Sequence, residues 1–203
     1  MLLQVLRNSP LPPGGGGLGW GGSSREGEKT FSECIHIFLT GFMGTGKSSV
    51  GKVLAARTGR RFVDLDEAVV AAAGMSITDI FASRGEPAFR ALESEALQKV
   101  SLESGLVVAT GGGAVIDPEN RRVMRATGCI INLTASADAI GARLVDDDTR
   151  PLLQEDNPHS KIVSMLAQRE PFYADADVRI ETGGRSVADV VNEILVWLKN
   201  RNA

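Results

Sequence analysis

Gly41-Phe42-Met43-Gly44-Thr45-Gly46-Lys47-Ser48 fits the pattern G-x-x-x-x-G-K-[ST], and its neighbours give that pattern physical meaning. Before it runs Cys34-Ile35-His36-Ile37-Phe38-Leu39, a short β-rich stretch. After it, Ser49-Val50-Gly51-Lys52-Val53-Leu54-Ala55-Ala56-Arg57 reads as a helix. A glycine-rich turn between strand and helix aims several backbone N–H groups at one point, and the helix N-terminus adds its partial positive charge there. A phosphate chain is the natural guest. Lys47 would reach the β- and γ-phosphates, and the Ser48 hydroxyl would ligate Mg²⁺. The bland alternative is a glycine turn capping an ordinary helix, and the strand–helix context weighs against it. The expectation is a chain that binds a nucleoside triphosphate.

Outward from the loop, strands and helices alternate. Arg61-Phe62-Val63-Asp64 reads as a second strand, and residues 67–73 and 77–82 as short helices. The latter begins after Ser76 with Asp79 three residues on, a spacing like that of a capping box. Residues 86–101 form a longer helix, with Leu92, Ala96 and Val100 along one side. Leu106-Val107-Val108-Ala109 is continuously apolar, as in a strand covered on both faces. Asp117-Pro118 supplies an N-cap followed by proline at the first helical position. Residues 129–133 and 178–180 complete the strands, and 187–198 form a closing helix. The pattern implies an α/β chain: a five-stranded parallel sheet in three layers, αβα, with ligands beyond the carboxyl ends of its strands.

Composition bounds the rest. At 203 residues, 43% hydrophobic and 23% charged, the chain can bury one proper core. A net charge of −3 argues against nucleic-acid or anionic-membrane partners. No apolar run approaches the roughly 18 residues of a membrane-spanning helix. Cys34 and Cys129 fall in predicted buried strands. Two reduced thiols of a cytoplasmic protein fit them better than one disulfide, and the size suits a monomer. Residues 1–32, Gly/Pro-rich with Pro12-Pro13-Gly14-Gly15-Gly16-Gly17, read as a disordered leader, and 33–203 as the folded domain. A mispredicted start or a disordered tail suits the leader better than a transit segment.

Further groups narrow the chemistry. Asp64-Leu65-Asp66 follows the second strand, and on an extended segment residues i and i+2 point the same way, so both acids would face the ligand. One would hold Mg²⁺ through water and the other accept a proton from a substrate hydroxyl; a solvated strand end is the alternative. Gly111-Gly112-Gly113 after the third strand permits close backbone approach. That strand ends without a carboxylate, which shifts the metal role toward Asp64. Arg90 and Arg169 sit on helices. Arg150 lies in a polar stretch over about 146–160 that reads as a mobile lid. Guanidinium forks suit carboxylates and phosphates, although any one arginine taken alone is better explained as a solvated or salt-bridged surface residue.

Taken in order, Gly-Phe-Met-Gly-Thr-Gly-Lys-Ser-Ser, Asp64-x-Asp66, Phe89-Arg90, Gly111-Gly112-Gly113, Arg150-Pro-Leu-Leu and Arg169-x-x-x-Tyr173 resemble the shikimate kinase family over residues 34–198. The resemblance implies a P-loop kinase fold and Mg²⁺-ATP-dependent phosphorylation of the 3-hydroxyl of shikimate, toward chorismate and the aromatic amino acids. It implies that Gly44, Thr45, Gly46, Lys47, Ser48 and Ser49 hold ATP, with Arg143 and Arg185 flanking adenine and Arg150 reaching the phosphates. Ser48 and Asp64 would serve the metal. Asp66, Arg90, Gly111, Gly112, Gly113 and Arg169 would hold shikimate, and Asp66 would also activate its hydroxyl. Val187 departs from the family at a place where proline is often found.

Two other readings stay open on the residues alone. A related kinase for gluconate or a nucleoside monophosphate would share the loop and lid without needing Asp66, Arg90 and Arg169 together. A nucleotide-binding switch is the third, but no N-K-x-D-type segment is visible, and Lys47 and Asp66 are both present.

Overall fold

The computed structural model describes residues 36–144 and 158–201. The expected leader, Cys34 and Arg150 lie outside them. So does most of the expected lid; its last three residues belong to a helix instead.

Five strands form one parallel sheet: β1 (His36–Thr40), β2 (Arg61–Asp64), β3 (Leu106–Ala109), β4 (Gly128–Thr134) and β5 (Val178–Glu181), in the order β2-β3-β1-β4-β5. The helices are α1 (Lys47–Thr58), α2 (Leu65–Ala73), α3 (Ile77–Ser101), α4 (Pro118–Thr127), α5 (Ala137–Leu144), α6 (Pro158–Tyr173) and α7 (Val187–Arg201). A short 3₁₀ turn, Ala114–Ile116, precedes α4.

Alternation along the strands sorts the core into two layers. Ile37, Leu39, Val107, Cys129 and Ile131 face one side, where they meet Leu54 of α1 and Val191 and Ile194 of α7. Phe38, Val108 and Ile130 face the other, against Val69 of α2, Leu97 of α3, Met124 of α4 and Ile162 of α6. This is the expected three-layer αβα architecture. All residues of β1 and β3 are buried, which explains the apolar runs Ile37-Phe38-Leu39 and Leu106-Val107-Val108-Ala109 within them.

Local signals set the element ends. Ser76 accepts from the Asp79 N–H and Asp117 from the Glu119 N–H, each capping a helix, and Pro118 opens α4 as expected. The two helices expected over 77–82 and 86–101 run together as α3, broken at Gly85, whose φ of 78° and ψ of 170° are not helical. Pro87 then sits in the first turn of the second segment, where its missing N–H costs no helical bond.

At Gly51 in α1, a Cβ would stand 2.4 Å from the Phe62 ring of β2. The missing side chain lets α1 lie directly on β2, which brings the phosphate-loop helix beside the acids that end that strand.

Candidate active site

A cleft of about 250 Å³ opens at the carboxyl ends of the strands. Gly44, Gly46, Lys47, Ser48 and Ser49 line it from the loop, Asp64 from the end of β2, Asp66 from just beyond it, Gly112 from beyond β3, and Arg143 from α5. Nine residues singled out from sequence thus converge on one cavity.

The acids reach it by a route other than the one expected. The chain leaves the extended conformation at Asp64, which is the N-cap of α2, and Leu65 is already helical. Asp64 and Asp66 are therefore not alternate residues of one strand. Asp64 Oδ1 accepts from the Asp66 N–H at 3.0 Å while its Oδ2 accepts from Ser48 Oγ at 2.6 Å. One carboxylate caps the helix and meets the loop, and the helix turn delivers Asp66 to the same cleft. Capping and site geometry are two consequences of one side chain.

Within the loop, Lys47 Nζ donates to the carbonyls of Gly41 and Phe42, each at 2.9 Å. Thr45 is buried and spends its hydroxyl on the Phe42 carbonyl at 2.7 Å, so its side chain tightens the turn. Arg143 bonds the Gly44 carbonyl and the Thr182 carbonyl at 2.9 and 2.8 Å. It ties the loop to the turn after β5. Arg185, on that turn, is directed at the Glu181 carbonyl and the Glu193 carboxylate, at 3.0 and 2.6 Å.

Arg169 is 8% exposed, lies over the Phe42 ring and reaches the Gly112 carbonyl at 3.4 Å. Arg90 is not among the residues lining the cleft; it lines a second cavity of about 580 Å³ with Glu93 and Gly113. Its guanidinium is held by Glu93 at 2.8 Å and Glu86 at 2.9 Å, and it packs directly on Gly113.

Glu93 was not visible from sequence. A glutamate on a helix reads as solvated, yet this one is 1% exposed. Its Oε1 occupies the space a Cβ on Gly111 would fill, 1.9 Å away, with Asp66 Oδ1 also close at 3.0 Å. The triple glycine thus makes room for a buried carboxylate. Burial pushes the Glu93 carboxyl above its ordinary range, against the pull of Arg90. The usable signal was the spacing Arg90-x-x-Glu93, an i, i+3 pair on one helix face.

Mg²⁺ fits what is here. Ser48 and Asp64 are a hard-oxygen pair already in contact beside a phosphate-binding loop, the donor type Mg²⁺ takes when phosphates and water complete its shell. Among the described residues no group of three or more His, Cys, Asp or Glu side chains could hold a metal alone.

Residues 43–199 match the family model for shikimate kinase. The chain belongs to the shikimate kinase family. Like the rest of the family it is a kinase, a phosphotransferase. A shikimate kinase of Geobacter metallireducens is 54% identical over 170 residues, covering 84% of this chain and 95% of its own. One from Geobacter sulfurreducens is 52% identical over 168 residues, covering 83% and 93%. The solved shikimate kinase from Acinetobacter baumannii in complex with shikimate matches with a TM-score of 0.81 at 36% identity, over 85% of this chain and 97% of that one. No helix among the described residues is long and apolar enough to cross a membrane.

Proposed function

We propose that this chain transfers the γ-phosphoryl group of ATP to the 3-hydroxyl of shikimate, giving shikimate 3-phosphate and ADP on the route to chorismate. The observation that carries the reading is the single cleft shared by Lys47, Ser48, Asp64, Asp66 and Gly112, with Arg169 bonded to the last of these. Phosphate-binding and hydroxyl-activating groups meet there, and a carboxylate-binding cation stands beside them.

The roles follow from the chemistry of each group. Phosphate oxygens would replace the loop carbonyls as partners of Lys47 Nζ, which then neutralises charge on the transferring group. Gly44, Thr45, Gly46, Ser48 and Ser49 would cradle the phosphates through backbone N–H groups. Ser48 and Asp64 would hold Mg²⁺, which draws negative charge off the phosphate oxygens. Asp66 would accept the proton of the 3-hydroxyl as its oxygen bonds phosphorus and ADP leaves. Arg169 and Arg90 would hold the acceptor's carboxylate, with Gly111, Gly112 and Gly113 forming the adjoining wall. Arg143, and Arg185 from the turn that Arg143 anchors, would flank adenine. Arg150 would approach the phosphates from the segment between α5 and α6. We propose further that the enzyme is a cytoplasmic monomer with a Gly/Pro-rich leader outside its fold.

A coupled ADP-release assay with Mg²⁺-ATP tests the reaction, comparing shikimate with gluconate, nucleoside monophosphates and no acceptor. Turnover on shikimate alone is the expected result. Turnover only on another acceptor would overturn the roles given to Asp66, Arg90 and Arg169.

A further inference from the structure

Arg169 and Tyr173 lie four residues apart on α6 and converge on one atom, the Gly112 carbonyl oxygen. The two bonds are unequal. The Tyr173 phenol donates at 2.6 Å, while Arg169 Nη1 stands at 3.4 Å, where a hydrogen bond is weak. Tyr173 is 3% exposed, and burial pushes its ionisation up to about 12 against the opposing charge and hydrogen bond of Arg169, so it stays a donor throughout the range in which kinases are assayed.

Gly112 itself is packed against the phosphate loop. A Cβ there would come 3.3 Å from the Met43 nitrogen and 3.6 Å from the Gly41 carbonyl. Fixing the direction of its carbonyl also fixes the N–H on the same rigid peptide plane. Of the residues around this joint, Tyr173 has no part in the roles assigned above.

We propose that Tyr173 is a positioning residue for acceptor binding: its phenol satisfies the Gly112 carbonyl, so that the Arg169 guanidinium keeps its donors for the acceptor's carboxylate. This rests on the acceptor reading given above. Without the phenol, Arg169 is the one donor left to the carbonyl among the described residues, and a partly buried oxygen short of a donor draws the guanidinium inward. Arg169 would then be divided between protein and substrate.

The test is steady-state kinetics of Tyr173→Phe in the full chain, with thermal unfolding alongside. The KM for shikimate is expected to rise roughly three- to tenfold, the loss of one neutral hydrogen bond, with kcat and the KM for ATP within about twofold. Because Tyr173 acts through Arg169, adding Tyr173→Phe to Arg169→Ala should cost little beyond Arg169→Ala alone. An unchanged KM with a lowered melting temperature would reduce Tyr173 to packing and overturn the proposal. So would fully additive losses in the double variant. Wild-type protein silent on shikimate would instead overturn the acceptor reading itself, and this role with it.

Discussion

The Ser48 hydroxyl donates to Asp64 Oδ2 at 2.6 Å, joining the first turn of the phosphate-loop helix to the end of β2. Because Asp64 also caps α2, its two jobs separate by substitution. Asparagine caps as well as aspartate, whereas alanine forfeits about 1 kcal/mol. Asp64→Asn should therefore keep the unfolding midpoint while raising the Mg²⁺ needed for half-maximal activity by about tenfold or more. Asp64→Ala should lose both. An Asp64→Asn enzyme with unaltered Mg²⁺ dependence would take Asp64 away from the metal.

Asp66 shares the cleft with Lys47 without belonging to the loop. Asp66→Asn is expected to lower kcat by about 10²- to 10⁴-fold, the usual contribution of a positioned acid or base. Binding of ATP, measured by calorimetry without acceptor, should change far less. Equal losses in the two would place Asp66 on the nucleotide.

Glu93 and Arg90 are joined at 2.8 Å with the carboxylate almost wholly buried. Removing one member of a buried pair is expensive because the other is left uncompensated. Glu93→Ala should lower unfolding free energy by about 3 kcal/mol in urea titration, and Glu93→Gln, which keeps a hydrogen-bonding side chain, by clearly less. Since Arg90 would keep Glu86 but lose its buried charged partner, the KM for shikimate should rise in both.

His36 is fully buried at the start of β1, far along the strand from the loop. Burial lowers its pKa from 6.5 and Arg60 lowers it further, opposed by the Ser101 and Glu103 backbone and the Glu103 carboxylate. Below the ordinary value the unfolded chain takes up a proton that the fold resists. Stability from this residue is thus present above that value and lost as pH falls toward the lowered one. Between about pH 7 and about pH 5, His36→Phe should unfold with a shallower pH dependence than wild type. Parallel curves would show that His36 takes up its proton equally in the folded and unfolded chain, so that burial does not lower its pKa.

What the residues disclosed, and what they withheld, follows from range. The phosphate loop and the caps at Ser76 and Asp117 rest on contacts within a few residues, and the buried strands show as short apolar runs, so capping chemistry and local pattern reveal them. The order β2-β3-β1-β4-β5 depends on pairing between distant segments and carried no local mark. Helix α5 was missed because eight residues give too little periodic signal. The geometry of Asp64 and Asp66 differs from the expectation because strand alternation does not continue the two residues from Asp64 to Asp66; the Asp64 side chain begins a helix instead. Glu93 stayed hidden because its burial depends on Gly111, eighteen positions away, having no side chain.

The close approach of α1 to β2 at Gly51 gives a residue without functional groups control over distances between groups that have them. A single methyl at that point would have to displace the Phe62 ring or lift the helix that carries Lys47 and Ser48. The reactive centre is therefore calibrated from behind. Its dimensions are held by a contact facing away from every ligand, where a change would pass unnoticed in any inventory of the site and still detune all of it.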